Sequence, residues 1–89
     1  MLKTKPGFSI RQVLDAYIIM GTGKEAYRPN CIMSLNESGA FLWNLISEGI
    51  EEKDLAPSLV NEYGVDSATA ENDVSRFLQL LREKELINE

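Results

Sequence analysis

The sequence predicts a single small α+β domain in which three short strands precede three helices. Two changes along the chain predict this class. Up to about residue 35 the residues alternate apolar and polar or form β-branched runs, whereas from residue 36 the apolar residues recur at helical spacing. The 89 residues contain no repeat or low-complexity linker and have room for one core. We therefore expect one domain over residues 1–89.

The three predicted strands are short and differ in character. Residues 8–11 alternate apolar and polar side chains, as a half-buried strand does. Residues 16–20 are β-branched and aromatic, which is typical of a more central strand. Leu14 and Asp15 lie between these two strands and indicate a hairpin. Turn signals at residues 21–24 and 28–30 precede the third strand, at residues 31–35, which lies at a sheet edge in a three-stranded meander.

The first two predicted helices are bounded by residues that favour helix ends. Asn36 is a good N-cap for the first helix, which ends at Gly49. The second helix covers roughly residues 52–63. Pro57 is awkward inside it, so either the helix starts late with Asp54 as its cap or the helix is kinked at the proline.

The third helix is the longest. Asp66 caps it, and it runs to about Lys84. Trp43 falls outside the main apolar stripe of the first helix, yet we expect its ring to pack in the core. The other side chains expected to face the core are Phe41, Leu42, Leu45 and Ile46 in the first helix, Leu55, Leu59, Val60 and Tyr63 in the second, and Ala70, Val74, Phe77, Leu78 and Leu81 in the third.

Charge is unevenly distributed along the chain, whose net charge is −5. Residues 1–35 carry five basic and two acidic side chains, whereas residues 36–89 carry four basic and twelve acidic ones. Such an acidic chain is a poor partner for nucleic-acid phosphates. The longest apolar run, residues 17–20, is too short to span a membrane, and the first residues lack a secretion signal. We therefore expect a cytoplasmic protein with neither membrane nor nucleic-acid contacts.

Residues able to carry catalysis are scarce. The chain has no histidine and a single cysteine, Cys31, which excludes histidine-based acid–base chemistry and cysteine-cluster zinc sites. Cys31 lies in an apolar strand and is expected to be a packing residue. The carboxylates of Glu51, Glu52 and Asp54 suit a helix start, where negative charge complements the dipole. We expect no enzymatic activity, no cofactor and no metal site.

Three segments resemble one known family. Residues 35–46, LNESGAFLWNLI, are similar to the signature of the PQQ-synthesis protein D-like proteins, with a leucine-asparagine pair, small residues and an aliphatic-tryptophan-x-leucine run. Residues 63–66, YGVD, resemble the family's inter-helix turn. Residues 73–81 with Leu86 and Ile87 resemble its last helix and tail. The resemblance covers roughly residues 5–87.

The resemblance implies a winged-helix-like domain that recognises the leader segment of a ribosomally made precursor peptide. Family members deliver this peptide to a modifying enzyme, often a radical-SAM enzyme, and have no catalysis of their own. The leader is implied to lie between the third strand and the third helix, adding a strand to the sheet. The sequence departs from the family at Glu85, where a glycine usually ends the last helix, and at Glu51, a weak cap for the second helix.

The residues themselves are compatible with that site. An edge strand has unpaired N–H and C=O groups, to which a peptide can add. On the third helix Leu80 lies about 100° from the core stripe, so that a partner can cover it. The expected peptide-binding residues are Cys31, Ile32, Met33 and Ser34 on the strand and Asp73, Phe77, Leu80 and Lys84 on the helix.

Several alternatives remain open at this point. A helix packed over the third strand would close its edge, and Leu80 would then be an ordinary exposed leucine. The exposed strand also allows pairing of two copies into a homodimer. A winged-helix DNA-binding regulator is the alternative function, although residues 66–89 hold six acidic and three basic side chains.

Overall fold

The structure is a computed structural model that describes residues 1–21 and 33–89. Strands β2, β3 and β4 form an antiparallel sheet in that order, and three helices follow, so the predicted α+β class is confirmed. The elements are β1 (Lys3–Thr4), β2 (Phe8–Val13), β3 (Ala16–Gly21), β4 (Met33–Leu35), α1 (Glu37–Glu48), α2 (Glu52–Tyr63), α3 (Ser67–Glu83) and β5 (Ile87–Asn88). In the described ranges no helix is long and apolar enough to cross a membrane.

The predicted hairpin joins β2 to β3. Val13 pairs with Ala16, which leaves Leu14 and Asp15 as a two-residue loop. Leu14 has a φ of 57°, in the left-handed region that such tight hairpin loops require. Strand β2 continues two residues beyond the predicted end, and Gly21 belongs to β3 rather than to the predicted turn.

Side-chain caps begin α1 and α3, as predicted. The Asn36 Oδ1 atom accepts a hydrogen bond of 2.8 Å from the Gly39 N–H. The Asp66 carboxylate accepts from the backbone N–H of Thr69 at 3.3 Å and from its hydroxyl at 2.6 Å. These bonds satisfy N–H groups that a helix start leaves without partners. Gly49, with a φ of 97°, ends α1.

Helix α2 begins earlier than a cap at Asp54 would allow. It starts at Glu52, and Glu51 precedes it without a side-chain cap. The Asp54 N–H donates to the Glu51 carbonyl at 3.0 Å, which places Asp54 inside the first turn. The predicted range of residues 52–63 is therefore confirmed, and of the two alternatives the late start is excluded. Pro57 lies within the helix, and Gly64 ends it in the left-handed conformation.

A left-handed residue follows the C-terminal end of α3, at the position where the resemblance implies a glycine. In this chain the residue is a glutamate. Glu85 has a φ of 57°. The left-handed conformation of Glu85 turns the chain so that the Leu86 N–H donates to the Leu81 carbonyl at 2.9 Å. This bond satisfies one of the last carbonyls of the helix. Leu86 is fully buried as a result.

Strands β1 and β5 were not predicted. They pair antiparallel, Lys3 with Asn88 and Thr4 with Ile87. Leu2 forms a further bridge to Ile50 and is buried. Each strand has two residues, too few for any periodicity to appear in the sequence.

One core lies between the sheet and the helices. Trp43 is buried, as predicted, but Tyr63 is 38% exposed, so its predicted inward position is wrong. Its ring packs edge-on against Phe41, with 5.6 Å between the ring centroids, at the margin of the core. The buried hydrophobic residues are Leu2, Ile19, Met33, Leu35, Ala40, Leu42, Trp43, Ile46, Leu55, Leu59, Ala70, Val74, Leu78, Leu81, Leu86 and Ile87.

Candidate functional site

Strand β4 lies at the edge of the three-stranded sheet. It pairs with β3 on one side, and among residues 1–21 and 33–89 no strand pairs with its other side. The Met33 and Leu35 side chains are buried in the core, whereas Ser34 between them is exposed. Two buried side chains thus anchor a strand whose outer edge is open among the described residues.

The register of the sheet determines which backbone groups of β3 point toward β4. The two-residue loop makes Val13 and Ala16 the ends of a tight turn, whose hydrogen bond joins their backbones. Ala16 therefore directs its backbone groups toward β2. Because this direction alternates along a strand, Ile18 also points toward β2, and Tyr17 and Ile19 point toward β4.

The same alternation assigns the backbone groups of β4. Leu35 is opposite Tyr17 and Met33 is opposite Ile19, so both direct their N–H and C=O groups toward β3. Ser34 lies between them. Its N–H and C=O groups consequently point away from β3, toward the open edge. An extended peptide can form hydrogen bonds there.

The predicted helix residues form a continuous strip on α3. Asp73, Phe77, Leu80 and Lys84 are separated by four, three and four residues, which places them on one side of the helix. We call these four residues the α3 strip. Asp73 is exposed, Phe77 and Lys84 are half-buried, and Leu80 is 38% exposed. Its neighbour Leu81 is fully buried, so the expected difference between the two leucines is confirmed.

A cavity of about 240 Å³ connects the upper half of the strip to the start of α1. Asp73, Arg76 and Phe77 line it from α3, and Asn36 and Gly39 line it from α1. Asn36 directly follows β4 in the chain, so this cavity lies beside the end of the strand. Asp73 and Phe77 thus line the same cavity as Asn36, the residue that follows β4.

The remaining predicted residues are placed differently. Leu80 and Lys84 do not line this cavity, but continue the strip along α3. Cys31 and Ile32 lie outside the described residues. We refer to the region formed by Ser34 and the α3 strip as the β4–α3 cleft.

Tyr63 lies beside the cleft, a position that the sequence did not indicate. With Asp73 it lines an adjoining cavity of about 310 Å³, and its hydroxyl lies 3.5 Å from the Glu37 carbonyl oxygen. Desolvation raises the pKa of Tyr63, and the nearby carboxylates of Glu37 and Glu62 raise it further. The phenol is therefore protonated at neutral pH and can donate a hydrogen bond.

Arg76 is a second residue that was missed. It lines the 240 Å³ cavity one helical turn from Asp73 and is exposed, so a cation and an anion lie side by side at this end of the cleft. The spacing of three residues from Asp73 is visible in the sequence, but only the structure shows that the flank carrying both residues faces α1. In the described part of the chain no group of three acidic or cysteine side chains could hold a metal ion.

One protein family matches this chain. The sequence model of the family described as coenzyme PQQ synthesis protein D (PqqD) matches residues 17–87, which extend from β3 to β5. No curated protein sequence matches the chain.

Two solved structures share the fold over nearly the whole chain. TbiB1 in complex with the TbiA(beta) leader peptide is 24% identical, with a TM-score of 0.75, over 97% of this chain and 94% of that one. Lasso peptide synthetase B1 complexed with the leader peptide is 22% identical, with a TM-score of 0.76, over 99% of this chain and 98% of that one. At these identities the similarity establishes the common fold.

Proposed function

The chain belongs to the coenzyme PQQ synthesis protein D family, and we propose that it binds the leader segment of a ribosomally synthesised precursor peptide and presents it to a modifying enzyme. Two findings support this proposal besides the family. Both structural neighbours were determined with a leader peptide bound. In this chain no described strand pairs with the outer edge of β4, and the α3 strip is partly exposed.

The observation that carries the proposal is the outward direction of the Ser34 backbone. In strand addition the main-chain groups of an edge strand supply affinity, and pockets for alternate side chains supply specificity. Ser34 offers one N–H and one C=O group to an extended leader. Side chains of the leader that point toward α3 then contact Phe77 and Leu80, the two apolar members of the α3 strip.

The charged ends of the strip give the leader a polarity. Asp73 and Lys84 are eleven residues apart, about 16 Å along a helix. About five residues of extended peptide span this distance. We propose that an acidic leader side chain lies near Lys84, and that apolar side chains lie between it and the end of the strip where Asp73 and Arg76 are neighbours.

In this proposal the chain binds and presents the leader without a cofactor. The partner enzyme carries out the covalent chemistry. The family resemblance makes a radical-SAM enzyme the first partner to test. A leader added to β4 excludes a homodimer through the same edge. Because ribosomes make the precursor, the proposed encounter takes place in the cytoplasm. Nucleic acid is not a proposed partner, since residues 66–89 hold six acidic and three basic side chains.

The direct test is titration of the chain with a fluorescently labelled leader peptide from a precursor gene that adjoins its own. A scrambled leader of the same composition is the matched control. We expect a dissociation constant on the order of micromolar or lower, because ordering of the peptide offsets part of the contact energy. Amide exchange of the complex should show new protection at Ser34. A leader that binds no better than its scrambled form, or binds as a helix, would contradict the proposal.

A further inference from the structure

The cavity of about 240 Å³ at one end of the β4–α3 cleft combines an apolar lining with two opposite charges. Its apolar side chains are Leu42, Leu59 and Phe77, and the first two are each 2% exposed, so the cavity reaches the surface of the core. The charged side chains lining it, among the residues that the structure describes, are Asp73 and Arg76, and both are exposed. A side chain that enters this cavity therefore meets apolar atoms and two opposite charges.

The two charges are not paired with each other. Their spacing of three residues on a helix commonly allows an ion pair. In the part of the chain that the structure describes, however, neither the Asp73 nor the Arg76 side chain takes part in an ion pair or a hydrogen bond. Arg82 on the same helix is different, because Glu52 and Glu89 both bind it. An acceptor and a donor are thus both open to a ligand of the cavity.

This pair of open groups favours one class of occupant. A basic side chain attracted to Asp73 also meets the like charge of Arg76, and an acidic side chain has the converse problem. A purely apolar side chain removes water from both groups and replaces none of their hydrogen bonds. An uncharged group that has a donor and an acceptor satisfies both, and the side-chain amides and hydroxyls are such groups. Hydrogen bonds to charged partners are also the stronger ones.

We infer that this cavity is a specificity pocket of the leader site, and that it takes an uncharged leader side chain with both a hydrogen-bond donor and an acceptor. The inference rests on the proposed function, because it names the leader chemistry recognised at one end of the cleft. The amide or hydroxyl of the leader donates to the Asp73 carboxylate and accepts from the Arg76 guanidinium. Its stem contacts the apolar lining of the cavity.

The experiment removes each charge in turn, with Asp73→Ala and Arg76→Ala in the full chain. Glu71→Ala and Lys53→Ala are matched controls, because they change the net charge equally but line the groove between α2 and α3 instead. All four side chains are exposed, so all four variants should melt close to the parent. The probe is the labelled leader peptide from the precursor gene that adjoins the gene of this chain.

We expect Asp73→Ala and Arg76→Ala each to weaken leader binding by about tenfold, since each removes a hydrogen bond to a charged group. The two controls should stay within about twofold of the parent. The two variants change the net charge in opposite directions, so a loss in both does not arise from long-range attraction. Effects of opposite sign would show a charged occupant and overturn the inference. Unchanged binding in both variants would overturn it as well.

The leader supplies the second half of the test. Each uncharged polar residue of the leader is replaced by alanine in turn, and every peptide is titrated against the parent and against the double variant of Asp73 and Arg76. One replacement should cost about tenfold with the parent but less than about twofold with the double variant, because the two sites are coupled. A leader in which no such residue is coupled to the pair would overturn the inference. A parent chain that fails to bind the unmodified leader would instead overturn the proposed function.

Discussion

The two open surfaces that α3 separates offer a partner different kinds of contact. The β4–α3 cleft presents backbone N–H and C=O groups at Ser34 and two apolar side chains, Phe77 and Leu80. The other surface is the groove between α2 and α3, lined by Ala56, Pro57, Val60 and Val74. Its backbone is already bonded within helices, except at the Lys53 carbonyl, which Pro57 leaves without its helical donor. The charged side chains that line it are balanced, Glu52 and Glu71 against Lys53 and Arg82.

The difference indicates how each surface achieves selectivity. Main-chain pairing accepts any extended peptide, so the cleft must select a leader through the order of side chains along it. The groove offers little main-chain pairing, so recognition there depends on apolar shape. Leader binding in the cleft should therefore respond to the removal of backbone N–H groups, whereas the groove should respond to changes of its apolar side chains.

The largest effect is expected from proline on β4. Met33→Pro removes an N–H that points to β3 and also truncates a buried side chain, so we expect a markedly lower melting temperature and a loss of about 2–5 kcal/mol. Ser34→Pro removes an N–H that points to the open edge. It should melt close to the parent while leader affinity falls about tenfold.

Thermal melts and leader titrations of both proline variants give the two readouts. If Met33→Pro is the better tolerated of the two, the direction assigned to the Ser34 backbone is wrong. If Ser34→Pro is stable and binds the leader as tightly as the parent, the leader does not pair with this strand.

The next largest effect separates two adjacent leucines on α3. Leu81 is fully buried, so Leu81→Ala should cost about 2–5 kcal/mol in the free energy of unfolding. Leu80 is 38% exposed, so Leu80→Ala should cost much less but weaken leader binding by about tenfold. Urea denaturation and leader titration distinguish the variants. Equal losses of stability would place Leu80 in the core and remove it from the cleft.

Salt should affect leader binding only slightly. Screening shortens the range of electrostatic attraction from about 30 Å at 0.01 M salt to about 3 Å at 1 M. Leader binding depends on backbone pairing and two apolar side chains, so its association rate should change little as salt is added. Stopped-flow association rates test this, and a steep fall with salt would show that charge dominates leader binding.

The smallest effect is expected at the cap of α3, the helix that both surfaces share. Hydrogen bonds from Thr69 lower the pKa of Asp66 below its usual value of 3.8. Because the folded pKa lies below the unfolded one, the stabilisation is complete above about pH 3.8 and is lost as the pH falls through the folded pKa.

Asp66→Asn is the matched control for this cap, since its amide oxygen still accepts from Thr69 but does not titrate. The parent should lose more stability than Asp66→Asn in melts between about pH 5 and pH 2. An identical pH dependence in the two proteins would show that the Asp66 charge contributes nothing to the cap.

Local signals in the sequence predicted most of the fold. The Leu14–Asp15 hairpin, the caps at Asn36 and Asp66 and the stops at Gly49 and Gly64 each depend on neighbouring residues, and the structure has all of them. Helical spacing also separated Leu80 from the core. Such features are determined within one or two turns of chain.

Features that depend on distant residues were missed. Tyr63 lies at the core margin with its ring against Phe41, and spacing within α2 does not show that partner on another helix. The direction of the Ser34 backbone requires the pairing register of three strands. Periodicity within a segment contains no information about such partners.

The pairing of β1 with β5 has a consequence for how the molecule folds. Contact between Lys3 and Asn88 closes a loop of nearly the whole chain. The part of the entropy cost that depends on loop length is about 4 kcal/mol. This ladder can form at little further cost only after the core has brought its two strands together. It should therefore be a late event in folding and, with two residues on each side, the first backbone pairing to open transiently in the native protein.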